Sequence, residues 1–71
     1  MSMTERVRIL LVKRGNTSEA ELARRLGISP QNLNNKMRRD NFSDKELRDV
    51  AEALGCSYKN SFVIPETGEE V

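Results

Sequence analysis

The stretch Ser18-Glu19-Ala20-Glu21-Leu22-Ala23-Arg24-Arg25-Leu26-Gly27-Ile28-Ser29-Pro30-Gln31-Asn32-Leu33 decides the fold. Ser18 with Glu21 three residues on spells a capping box, in which each side chain satisfies the other's backbone N–H at a helix start. Leu22, Ala23 and Leu26 then recur at helical spacing, and Gly27 supplies a left-handed residue that ends a helix without steric penalty. Only Gly27 and Ile28 separate this from the next start signal. Ser29 is a good cap, and Pro30 fits the first helical position, where its missing N–H is not needed. Leu33 and Met37 lie four residues apart, so they point inward together. Two short helices joined by so short a turn must pack closely, and Ala23 is the small residue that allows the approach.

The flanks continue the helical pattern. Upstream, Thr4 reads as a cap with Glu5 in the opening turn. Val7, Leu10, Leu11 and Arg14 share one face, and Gly15 is the stop. Downstream, Ser43-Asp44-Lys45-Glu46 is another capping box, followed by Leu47, Val50, Ala51 and Leu54 at i, i+3, i+4 and i+7, and closed by Gly55. After Gly55 the pattern changes. Tyr58 to Ile64 is rich in aromatic and β-branched residues and reads as a strand, and Pro65-Glu66-Thr67-Gly68 is a turn signal. A lone strand cannot satisfy its own ladder, so it needs a partner. Residues 69–71 folding back would serve, and so would the same strand of a second copy. The expected fold is all-α: a bundle of four short helices with a C-terminal β-strand or small hairpin.

Composition narrows the function. A chain of 71 residues fits one domain and buries only about 60% of its unfolded surface, so such domains often lean on a disulfide, a metal or a partner chain. Cys56 is the one cysteine and histidine is absent. No intrachain disulfide can form, no zinc site of the usual ligands can be assembled, and no cofactor motif is present. A homodimer is the remaining support. No apolar run approaches the roughly 18 residues of a membrane span, and no signal peptide is visible. A soluble, cytoplasmic protein follows by elimination. With no histidine, no glycine-rich phosphate loop and no paired acids in a cleft-sized fold, an enzyme is not expected.

The net charge of +1 conceals a division. Residues 1–39 hold nine basic and three acidic residues, while residues 40–71 hold three basic and eight acidic ones. One half suits a polyanion and the other half faces elsewhere.

Two short helices around a glycine turn, the second basic, form the layout of a helix-turn-helix, whose second helix lies in the DNA major groove. At about 100° per residue, the side of the third helix opposite Leu33 and Met37 carries Gln31, Asn35, Arg38 and Arg39, with Asn32 and Asn34 on its flanks. No acid occurs from 29 to 39, whereas a merely solvated helix ordinarily mixes in Glu to pair with Lys or Arg. Amides pair bidentately with adenine and guanidiniums with guanine. The helix start reaches deepest, so Ser29, Gln31, Asn32 and Asn35 are the expected base contacts. Lys36, Arg38 and Arg39 suit phosphates, as do the free N–H groups of the helix that Ser18 caps. Arg24 and Arg25 are ambiguous between phosphate contact and solvation. On this reading residues 1–56 form the DNA-binding domain. Residues 57–71 form a tail and candidate dimerisation element, with Ser61, Phe62, Val63 and Ile64 as the dimer strand, because an exposed apolar edge is otherwise a liability.

The segment from Ala20 to Ser29, with Glu21-Leu22-Ala23 and Leu26-Gly27-Ile28-Ser29 at its centre, resembles the phage repressor and Cro-type helix-turn-helix family, the lambda-repressor-like fold. Asp49-Val50-Ala51-Glu52-Ala53-Leu54-Gly55-Cys56 is similar to that family's fourth helix and the turn after it. The likeness covers residues 4–55. It implies sequence-specific operator binding, usually as a dimer, and transcriptional regulation. It also implies base contacts at Ser29, Gln31, Asn32 and Asn35, and phosphate contacts at Ser18 and the loop near Asn41. Three departures stand out. Glu19 sits where the family often has a phosphate-reaching Gln. Lys36-Met37-Arg38-Arg39-Asp40 lacks the usual Glu and Gly. The tail reads as strand where many members have a fifth helix. The rival reading is a protein-interaction module on the same fold (an antitoxin, or a phage accessory or adaptor protein), docking a basic partner on its acidic C-terminal half through Asp44, Asp49 and Glu52.

Overall fold

The computed structural model describes residues 2–71, in which four helices lead into a small antiparallel sheet. The helices are α1 (Met3–Lys13), α2 (Glu19–Leu26), α3 (Pro30–Arg39) and α4 (Asp44–Ala53), and the strands are β1 (Ser57–Tyr58), β2 (Phe62–Ile64) and β3 (Glu69–Glu70). Each helix starts on a serine whose hydroxyl accepts a backbone N–H three residues on: Ser2, Ser18, Ser29 and Ser43. The capping box closes in both directions at Ser43 and Glu46. At α2 only half of it forms, because the Glu21 carboxylate turns to Arg24 and Arg25 instead.

The expectation that Thr4 caps α1 is corrected, since Ser2 takes that role. Thr4 is buried and works across the bundle. Its hydroxyl donates to the Met37 carbonyl at 2.7 Å, and its backbone N–H donates to Asp40 Oδ1 at 2.8 Å. Asp40 ends α3 in the left-handed region, at φ 53°, where an Asp is better tolerated than most residues because its short polar side chain can find a local partner. Here that carboxylate satisfies an N–H that α1 leaves unpaired at its start. The C-terminal end of α3 is thereby fixed to the N-terminal end of α1.

The core follows the apolar stripes. Val7, Leu10 and Leu11 of α1, Leu22 and Ala23 of α2, Leu33 and Met37 of α3, and Leu47, Val50 and Ala51 of α4 are all buried, joined by Leu54, Phe62 and Ile64. Leu26 and Ile28 are half-buried against them. Arg14 extends its face of α1 as a polar strut: its Nε donates to the Leu54 carbonyl at 2.7 Å and its Nη1 to Glu66 at 2.8 Å.

The tail departs from the single strand expected over Tyr58–Ile64. It folds into two strands around Asn60, which takes a left-handed conformation at φ 64°, and the third strand returns after the turn at 65–68. The sheet order is β1-β2-β3, with Tyr58 opposite Phe62 and Ile64 opposite Glu69. Phe62 and Val71 exchange both backbone hydrogen bonds. The strand of Ser61, Phe62, Val63 and Ile64 is therefore central and paired on both sides within the chain. That corrects its expected use in pairing across a dimer, because β2 has no open edge left to add a strand. Residues 69–71 fold back as one of the two alternatives allowed. Phe62 and Ile64 face the same core as the helices.

Candidate nucleic-acid interface

The α2–α3 turn is set by a few backbone contacts. Gly27 adopts φ 73°, a conformation that costs glycine little. Its N–H reaches the Arg24 carbonyl at 3.1 Å, and the Ile28 N–H reaches the Ala23 carbonyl at 3.0 Å. Ser29 then accepts from the Asn32 N–H at 3.1 Å and starts α3. Ala23 is fully buried at the crossing, where a larger side chain would separate the helices.

With Leu33 and Met37 buried, α3 turns Gln31, Asn32, Asn34, Arg38 and Arg39 to solvent and leaves Asn35 half-exposed. Arg38 donates to Asn35 Oδ1 at 3.0 Å, leaving the Asn35 amide NH2 directed away from that bond. Asn32, Asn35, Lys36, Arg39 and Asn41 line one hollow. Five of the residues expected to touch DNA are thus brought together. Gln31 and the exposed cap Ser29 lie outside the hollow, and so does Ser18 at the start of α2. Lys36 differs from its neighbours in being ion-paired to Glu46 of α4. Among the described residues, Arg38 and Arg39 have no carboxylate within 4.0 Å.

Three acids near this surface, Glu19, Glu21 and Glu46, are paired with cations of the same chain, while Asp40 at the end of α3 accepts from Thr4. Glu21 accepts from Arg24 at 2.6 Å and from Arg25 at 2.9 Å. Both arginines are thus paired within α2, and Arg25 also donates to the Ala53 carbonyl. The spacing of three and four residues carried that signal in the sequence. Glu19, which stands where the family often has a phosphate-reaching Gln, lies 3.8 Å from Arg8 of α1. No local spacing announced that contact.

Hydrogen bonds from Arg24 and then Arg25 lower the Glu21 carboxyl from its usual 4.5 to about 2. Glu46 is lowered by Lys36 and then by the Ser43 N–H, and Glu66 by Arg14. The unfolded chain takes up these protons near pH 4.5 and the folded chain only at lower pH, so protons favour unfolding in that window. Stability should hold from neutral pH to about 5 and then fall towards pH 2. Thermal melts across that range should show the fall, and Glu21→Gln should make it shallower.

A helix-turn-helix family model matches residues 7–59, well over half of the chain. The chain belongs to the Cro/C1-type helix-turn-helix family. No curated protein and no solved structure gives a significant match. As a Cro/C1-type domain it is a DNA-binding module of the transcription-regulator kind, on a lambda-repressor-like fold. Its α2 and α3 are the helix pair of the motif, and the matched segment ends inside the turn between β1 and β2. No helix among the described residues is long and apolar enough to cross a membrane.

Proposed function

We propose that this chain is a sequence-specific double-stranded DNA-binding regulator of transcription. It acts in the cytoplasm as a homodimer and performs no chemistry of its own. α3 enters the major groove, where Gln31, Asn32 and Asn35 read base edges and Ser29 stands at the helix start. Arg38, Arg39, Ser18 and Asn41 hold phosphates. The observation that carries this reading is the outward face of α3, which offers amides and two guanidiniums with no carboxylate partner, while Glu19, Glu21 and Glu46 all face cations of the same chain. The dimer uses a surface other than β2.

The interaction-module reading has less support. Of the acids on the C-terminal half, Glu46, Asp49, Glu66 and Glu69 are ion-paired within the chain, and Glu70 accepts from Ser61. Of the three acids expected to dock a basic partner, Asp49 is thus paired to Lys45, while Asp44 and Glu52 have no cation within 4.0 Å among the described residues.

Titrating duplexes of varied sequence tests the proposal. Arg38→Gln with Arg39→Gln should weaken every sequence alike, and the slope of log K against log salt should become shallower by about 0.9 for each phosphate that is no longer neutralised. If the wild-type chain binds no duplex at low salt, or if the double variant binds as the wild type does, the reading fails.

A further inference from the structure

Lys36 stands apart from the other cations of α3. It follows Leu33 by three residues, so it emerges on the flank between the buried stripe and the outward face. It lines the hollow shared by Asn32, Asn35, Arg39 and Asn41, on the surface assigned above to DNA. Yet it is bound to Oε2 of Glu46, and the two side chains are only 30% and 31% exposed. Glu46 is itself anchored. Its Oε1 accepts from the Ser43 N–H at 2.8 Å, while its own N–H donates to Ser43 Oγ at 3.1 Å. Lys36 and Glu46 both line an adjoining hollow with Leu26, Ile28 and Phe42, so the capping box of α4 fixes a carboxylate that draws Lys36 to that side, away from Asn32, Asn35 and Arg39.

A phosphate entering the hollow must compete with this anchored anion for Lys36. Backbone contacts position a protein on DNA but carry no sequence information directly. A lysine that neutralises one more phosphate raises affinity for all duplexes and makes the salt dependence steeper. We propose that Glu46 is a restraining residue: it keeps Lys36 off the DNA backbone and so limits sequence-independent affinity, leaving Arg38 and Arg39 as the phosphate contacts of α3. This rests on the DNA-binding reading. It moves Lys36 from the phosphate contacts expected on sequence grounds to a position controlled by α4.

Glu46→Gln tests it directly, since glutamine retains the acceptor that the capping box needs and loses the charge. Wild type, K36Q, E46Q and the double variant are titrated against one mixed-sequence duplex over a salt series. E46Q should bind more tightly and steepen the log–log slope by about 0.9, the contribution of one phosphate. K36Q alone should leave the wild-type slope unchanged, and the double variant should return to it. The proposal is overturned if K36Q alone makes the slope shallower by about 0.9, because Lys36 would then already sit on a phosphate. It is overturned equally if the gain in E46Q survives removal of Lys36, because Glu46 would then act only by repelling DNA. K36Q leaves the α4 cap intact, so its result stands even where E46Q lowers stability. A wild-type chain that binds no duplex removes the DNA-binding reading itself, a result distinct from any change in slope.

Discussion

Phe62→Ala is expected to destabilise the fold by about 3–5 kcal/mol, the range for deleting a buried phenylalanine. A domain of this size has roughly 4–10 kcal/mol in total, at about 0.05–0.15 kcal/mol per residue. The variant should therefore lose a large part of its stability, and all of it if the total lies at the lower end of that range. The size of the effect comes from where β2 lies. Phe62 is fully buried, its strand is paired on both sides, and its ring meets that of Tyr58 at 5.1 Å between centroids. It belongs to the same buried cluster as Leu10, Leu22 and Leu33, so the loss falls on the shared core and not only on the tail. Urea denaturation followed by circular dichroism measures this. A destabilisation of less than about 1 kcal/mol would mean that the sheet contributes little to the core and that the helices stand without it.

The second large effect concerns recognition. Gln31→Ala combined with Asn35→Ala should remove most of the preference for a selected site over a random duplex. Removing each bidentate amide–base pair is expected to cost about 1–3 kcal/mol of discrimination. Both side chains lie on the outward side of α3, away from Leu33 and Met37, so melting temperature should change little. Competition binding separates the effects: affinity for the selected site should fall while affinity for random duplex stays nearly constant. An equal fall for both would place Gln31 and Asn35 on the backbone instead of the base edges.

Much of the fold was legible in the chain because it depends on near neighbours. Serine three residues before each capped N–H, Leu22 with Ala23 and Leu26, Leu33 with Met37, and Gly27 in a left-handed turn are local signals. They placed four helices and the outward face of α3. What escaped is non-local. Thr4 meets Asp40 across 36 positions, and a threonine beside a glutamate looks like a cap until its partner is known. Ser2, two residues earlier, was the better cap. β1 was hidden because Tyr58 to Ile64, rich in aromatic and β-branched residues, reads as a single strand although Lys59-Asn60-Ser61 in its middle is polar. The break depends on Asn60 taking a left-handed conformation, which asparagine tolerates but does not announce. The pairing of β2 on both sides follows from that turn, and it leaves no strand free for a dimer at 61–64. In the candidate interface, composition placed the amides and arginines correctly on one face. It could not show that Lys36 reaches across to Glu46, since that contact depends on how α3 and α4 pack.

The central claim is that the outward face of α3 reads a DNA sequence. Selection of bound duplexes from a random pool, run in parallel with wild type and with the Gln31→Ala, Asn35→Ala variant, tests it most directly. The wild-type pool should converge on a site, with half-sites about one helical turn or roughly 34 Å apart for a symmetric dimer, and the variant pool should not converge on it. Wild-type and variant pools that stay equally random, or that converge on the same site, would contradict the account.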